Sequence, residues 1–221
     1  MQELWTAVDK YIDDLLVHPD AALEAAVRES EASGLPSIQV SAAQGKLLHI
    51  LACSIGAKHV LEIGTLGGYS TIWMARALPE DGSLVTLEID PKHAEVAQRN
   101  IERAHLSAIA KVETGDAREI LPGLASSGRK FDLIFIDADK ASIPAYFQWA
   151  LKMSHRGSMI LVDNVVREGA VIDDNSQDPS VLGVRKLNEM LASEPRVSST
   201  VIQTVGIKGY DGLTVALVIT D

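Results

Sequence analysis

Two acidic blocks at the ends of apolar runs hold the residues best placed for chemistry. Phe131-Asp-Leu-Ile-Phe-Ile-Asp-Ala-Asp-Lys140 ends in three charged residues, and Met159-Ile-Leu-Val-Asp-Asn164 ends in Asp-Asn. Asp137, Asp163 and Asn164 are all oxygen donors, a set that suits Mg²⁺ first, Ca²⁺ or Mn²⁺ as alternatives, and zinc poorly. Lys140 lies three residues beyond Asp137. A lysine beside a dication is disfavoured as an ammonium, which suits a general base. The plainer alternative makes the acids helix caps and turn formers and Lys140 a solvated turn residue.

A third stretch, Val60-Leu-Glu-Ile-Gly-Thr-Leu-Gly-Gly-Tyr-Ser70, starts as an apolar β-run and leads through a glycine-rich turn into a helical pattern from Thr71 to Leu78. Such a turn lets a ligand approach backbone, with free N–H groups at the helix start. A dinucleotide fingerprint needs a second glycine where Leu66 stands, and there is no Gly-Lys-Ser/Thr for a triphosphate. What is left is Glu62-x-Gly64-x-x-x-Gly68, with Glu88 ending the next strand. A carboxylate can accept from two ribose hydroxyls. A ligand with a ribose but no phosphate, S-adenosylmethionine, is therefore expected, with Glu62 near its ammonium group. A turn or capping carboxylate is the alternative for Glu62.

These blocks need a parallel sheet to bring them together. Apolar runs at about 59–63, 84–89, 109–113, 131–136 and 158–162 are nearly continuous and predict strands buried on both faces. Helical segments at about 69–78, 91–104, 116–124 and 142–153 alternate with them, Pro122 and Gly123 marking the end of the third. In that arrangement the carboxyl ends of the strands open onto one edge, where α/β sheets bind ligands. Residues 167–180 predict a surface loop, followed by a helix over about 181–192. The runs 197–205 and 213–220 are separated by only seven residues, too few for a crossover helix, so they predict a closing antiparallel hairpin. Residues 1–56 are helical in pattern: one helix through Leu4 to Leu15, one over Ala21–Ser33 capped by Asp20, one from Ser41 to Ile55.

The 221 residues suit a single domain, with a helical N-terminal cap or dimer region (1–56) on a Rossmann-like core (57–221). A net charge of −10 argues against a nucleic-acid partner. No apolar run approaches a membrane span and no signal peptide is visible. The lone Cys53 excludes an internal disulfide and suits a reducing cytoplasm; its apolar surroundings predict a small buried side chain. His59, His93, His105 and His155 have no ligand-like spacing.

On Leu61–Ser70, Phe135-Ile-Asp-Ala-Asp-Lys140, Val162-Asp-Asn-Val165 and Tyr210-Asp-Gly212, the chain from about Ser41 onward resembles the cation-dependent class I O-methyltransferases, catechol and caffeoyl-coenzyme A O-methyltransferases among them, and looks closest to small bacterial members. The resemblance implies a seven-stranded α/β sheet, mostly parallel with a reversed last strand, helices on both faces, and a homodimer. It implies Asp137, Asp163 and Asn164 as metal ligands and Lys140 as base. Glu62, Gly64, Gly68, Ser70, Glu88, Ala117 and Asp137 would hold S-adenosylmethionine, and Val40 and Ser41 would cover it. Gln44 stands where plant members carry glutamate, and Arg167 stands where they carry an acceptor-lining tryptophan. The expected reaction is methyl transfer to a phenolic oxygen of a catechol-type vicinal diol, with Lys140 taking the proton. Metal-free methylation of RNA or another small molecule, nicotinamide-dependent oxidoreduction and non-catalytic cofactor binding are the competing readings. The missing glycine disfavours the dehydrogenase, and the acidic blocks disfavour the others.

Overall fold

A computed structural model describes residues 1–221. Three helices, α1 (Gln2–Leu16), α2 (Ala21–Ala32) and α3 (Ala42–Ser54), precede the sheet. Their starts follow capping chemistry: the Asp20 carboxylate accepts from the amides of Ala22 and Leu23, and Ser41 Oγ accepts from Gln44 N–H. The chain then alternates β1 (His59–Ile63), α4 (Tyr69–Ala75), β2 (Ser83–Glu88), α5 (Pro91–Arg103), β3 (Ala110–Thr114), α6 (Ala117–Ser126), β4 (Leu133–Ile136), α7 (Ile143–Lys152), β5 (Met159–Asp163) and α8 (Pro179–Ser193). The strands β6 (Val197–Gly206) and β7 (Gly209–Val218) close it.

The sheet order is β3-β2-β1-β4-β5-β7-β6, parallel from β3 to β5, with β7 antiparallel to both neighbours. The order reverses between β1 and β4, which makes that point the expected ligand crevice. One face packs Leu61, Ile63, Ile134, Ile136, Ile160 and Val162 against α6, α7 and α8. The other packs Val60, Leu84, Leu133, Phe135 and Leu161 against α3, α4 and α5.

Four expectations need correction. β3, an edge strand, is half exposed rather than buried on both faces, because an edge strand has a neighbour on one side only. Pro122 lies inside α6, where its ring removes one internal hydrogen bond without ending the helix. The hairpin connector is itself mostly strand, leaving Ile207-Lys208 as the turn between Gly206 and Gly209. Cys53 is exposed, not buried. Apolar residues occupy more than one face of α3, and Leu47 and Ile50 are exposed like Cys53.

Candidate functional site

Side chains alternate across a sheet with period two, so residue parity fixes which acids share a face. Glu62 and Glu88 fall in step with Val60 and Leu84, and Asp163 with Leu161, on the face covered by α3 and α4. Asp137, one residue past β4, continues the alternation of Leu133 and Phe135 onto that face. Ile136 pairs with Val162 in register, so Asp137 and Asp163 follow side by side. The acids of all three motifs thus meet on one side of the sheet's carboxyl edge.

The turn after β1 is built against the second block. Gly64 has φ +96°, and a Cβ there would collide with the backbone carbonyl of Asp137. Gly68, φ +81°, is the N-cap of α4 and lies close against Ala97 of α5. Leu66 itself takes a left-handed φ of +50°. The Glu88 carboxylate holds this turn, accepting from the amides of Thr65 (3.1 Å) and Leu66 (2.7 Å) and, through its other oxygen, from Asp90 N–H (3.0 Å). Glu88 therefore organises the loop as well as lying where a ribose is expected. Asn100, buried on α5, adds a bond from Nδ2 to the carbonyl of Gly67 (2.9 Å).

Glu62 is fully buried and accepts 2.5 Å hydrogen bonds from Ser70 Oγ and Thr71 Oγ1 at the start of α4. Burial pushes its pKa up to about 7, the two hydroxyls oppose that rise, and the Asp137 charge adds to it. Ala117 is the first residue of α6, behind its N-cap Asp116, and is buried. Val40 is buried and Ser41 caps α3.

Lys140 begins a short 3-10 turn (Lys140–Ser142) whose N-cap, Asp139, accepts from Ser142 N–H (2.9 Å) and from Tyr146 OH (2.6 Å). Gly183 of α8 packs against the Lys140 carbonyl, where any Cβ would clash. The lysine is thereby fixed, and its Nζ donates to Asp137 Oδ1 at 2.8 Å. Asp163 is 5% exposed. Burial first, and then the Asp137 charge, raise its pKa well above the carboxylate range, against the pull of Lys140 and of its hydrogen bonds. Its Oδ1 accepts from Asn164 N–H (2.8 Å), and its Oδ2 from Gln44 Nε2 (2.7 Å).

Asn164 has φ +58°, a left-handed conformation that asparagine tolerates better than most residues. Arg167, Glu168 and Gly169 are left-handed in succession. Asp211 Oδ1 pins this loop, accepting from the amides of Val166, Arg167 and Gly212, each at 2.9 Å. Arg167 Nη1 lies 4.0 Å from the other Asp211 oxygen, while its Nε is buried without a partner. No group of three His, Cys, Asp or Glu side chains is poised to hold a metal. A three-donor oxygen site therefore has to draw on the Asn164 amide.

Two participants carried little signal in the sequence. Gln44 reaches Asp163 across 119 positions, which no local pattern encodes. Asp211 sits in a conspicuous Tyr-Asp-Gly, but its clasp on the loop after β5 requires β7 to lie beside β5.

A sheet with this strand order, a reversed β7 and a glycine turn at the switch point defines the class I methyltransferases. Within that class the chain belongs to the O-methyltransferase family, whose model matches residues 17–219. It is 52% identical to the catechol O-methyltransferase of Niastella koreensis over 98% of both chains. It is 50% identical to the catechol O-methyltransferase of Mycobacterium tuberculosis, over 96% of this chain and 94% of that one. The O-methyltransferase from Bacillus cereus, solved in complex with SAH, superposes with a TM-score of 0.97 at 53% identity, covering 99% of this chain and 100% of that one. The chain is thus an S-adenosylmethionine-dependent O-methyltransferase.

Proposed function

We propose that this enzyme methylates a phenolic oxygen of a catechol-type vicinal diol in a divalent-metal-dependent reaction. The observation that carries this reading is the contact between the two sites: the Gly64 turn backs directly onto Asp137, so methyl donor and acidic centre share one crevice. The homologues named for catechol support the acceptor class.

The donor side uses Glu62, Gly64, Gly68, Ser70, Glu88 and Ala117, with Val40 and Ser41 covering it. Glu62 favours the ammonium end and Glu88 the ribose. The charge of Asp137, one residue past β4, adds to the cost of ionising the buried Asp163 at the end of the adjacent β5, a cost that a bound cation would offset, and this supports Asp137, Asp163 and Asn164 as ligands. Mg²⁺ suits the set, with Ca²⁺ or Mn²⁺ as alternatives. When bound, the ion would supply the Lewis acidity that brings a phenol pKa down from about 10.

Lys140 is the residue that accepts the phenol proton. The carbon–oxygen bond then forms as the carbon–sulfur bond breaks, giving a methyl ether and S-adenosylhomocysteine. Val40 and Ser41 on one side and the 164–169 loop on the other orient the reactants, and such orientation supplies a large share of the acceleration. Arg167 lines the acceptor side, where its guanidinium, with an unpartnered Nε, favours an anionic group on the ring. Residues 1–56 cap the core and carry a homodimer contact. The exposed free thiol of Cys53 suits the reducing cytoplasm.

A panel of a neutral catechol, its carboxylated counterpart and the matching monophenol tests the acceptor assignment. Turnover is expected on both diols and not on the monophenol, with Arg167→Ala lowering kcat/KM about tenfold on the carboxylated diol alone. Equal turnover of the monophenol would remove the diol, and equal loss on both diols would remove Arg167 as an anion-selecting residue.

A further inference from the structure

Of the helices ahead of the sheet, α3 is the one whose side chain bonds a proposed metal ligand. Ser41 caps its first turn, and Gly45 lets it lie so close to α4 that a Cβ would strike the Trp73 indole. Gln44 lies between those two fixed points. Its side-chain amide donates from Nε2 to Asp163 Oδ2 at 2.7 Å. The other carboxylate oxygen is held by Asn164 N–H at 2.8 Å.

Each carboxylate oxygen has about two lone-pair directions, so one donor on each leaves acceptor capacity free on both. The Gln44 amide is neutral. It fixes the plane of the carboxylate without cancelling the charge a cation needs. Lys140 is bonded to Asp137 instead, so Gln44 is the one side chain that donates to Asp163.

We propose that Gln44 is a positioning residue for the metal centre: by holding Asp163 through its Oδ2, it makes divalent-cation affinity depend on the docking of α3. This rests on the metal reading given above. A hydrogen-bonding partner one step out from a metal ligand typically contributes a factor of 10 to 100 in metal affinity. Ser41, one turn earlier on the same helix end, is proposed to cover the methyl donor, so α3 would serve both halves of the crevice.

Mn²⁺ binding to the full-length protein, followed by the loss of the free-ion electron paramagnetic resonance signal, tests this. The wild type is compared with Gln44→Met, which keeps the length and removes the donor, with Gln44→Ala and with Asp163→Asn. Circular dichroism and S-adenosylhomocysteine affinity are measured on each. The expected result is a roughly 10- to 100-fold rise in the Mn²⁺ Kd for both Gln44 variants, with S-adenosylhomocysteine affinity and fold retained. If Asp163→Asn loses Mn²⁺ while both Gln44 variants bind it as the wild type does, the positioning role is wrong and the metal centre stands. If the wild type binds no Mn²⁺, or Asp163→Asn binds as the wild type does, the metal centre fails and the role of Gln44 fails with it. Loss of S-adenosylhomocysteine affinity in step with Mn²⁺ would show that Gln44 merely supports the fold of α3, and would also overturn the inference.

Discussion

Lys140 and Glu62 show how burial and fixed partners assign work to single side chains. Lys140 is held at both ends, its backbone carbonyl against Gly183 and its Nζ on Asp137. Lys140→Ala is therefore expected to lower kcat by about 10²–10⁴, the usual contribution of a general base, while leaving S-adenosylmethionine affinity little changed. Steady-state kinetics alongside calorimetric titration would check this, and unchanged turnover would take the proton-accepting role away from Lys140. Glu62 accepts from two hydroxyls yet touches no cation, so the sheet face buries an unneutralised acid where an ammonium group is proposed to bind.

Among the elements, α1 is the least committed to this fold. It has no buried residue, and Leu4, Val8, Tyr11 and Leu15 form a stripe that is 46–66% exposed. Such a stripe at helical spacing belongs against another surface. Tyr11→Glu is expected to convert a dimer into a single-chain species by sedimentation equilibrium at micromolar concentration, and a wild-type mass of one chain would contradict the dimer. The strands themselves were readable because a strand buried on both faces is a continuous apolar run, as at Leu133–Ile136. The cap Asp20 was readable too, since a short acceptor side chain before a helical pattern has one common use. Acids at the ends of such runs announced the crevice. The exposure of Cys53 and the continuation of α6 through Pro122 were not readable. A helix with apolar residues on more than one face does not show by its pattern which of them is covered, and a proline removes a single bond that the rest of the helix can outweigh. The Gln44–Asp163 bond was invisible for a different reason: it joins elements that only the finished sheet brings together.

For the molecule as a whole, the acids on the ligand face impose a pH dependence. The folded-state pKa of Glu62, about 7, lies above its ordinary 4.5, so the folded ligand-free protein holds this proton more tightly than the unfolded chain does. Stability should therefore fall as pH rises from about 4.5 through 7, with up to about 3 kcal/mol at stake for a group buried this fully. Urea unfolding of the wild type and of Glu62→Gln at about pH 5.5 and 8 would isolate the effect, because the remaining groups titrate alike in both proteins. A steeper loss in the wild type is expected, and equal losses would show that Glu62 is not the group responsible.

The same face of acids, set beside the donor turn, leads to the central claim that catechol methylation here depends on a divalent cation. The direct measurement is methyl transfer to a catechol before chelation, after exhaustive chelation and after Mg²⁺ is restored. The expected result is loss of turnover on chelation and recovery with Mg²⁺. Turnover that persists undiminished through chelation would contradict the metal assignment.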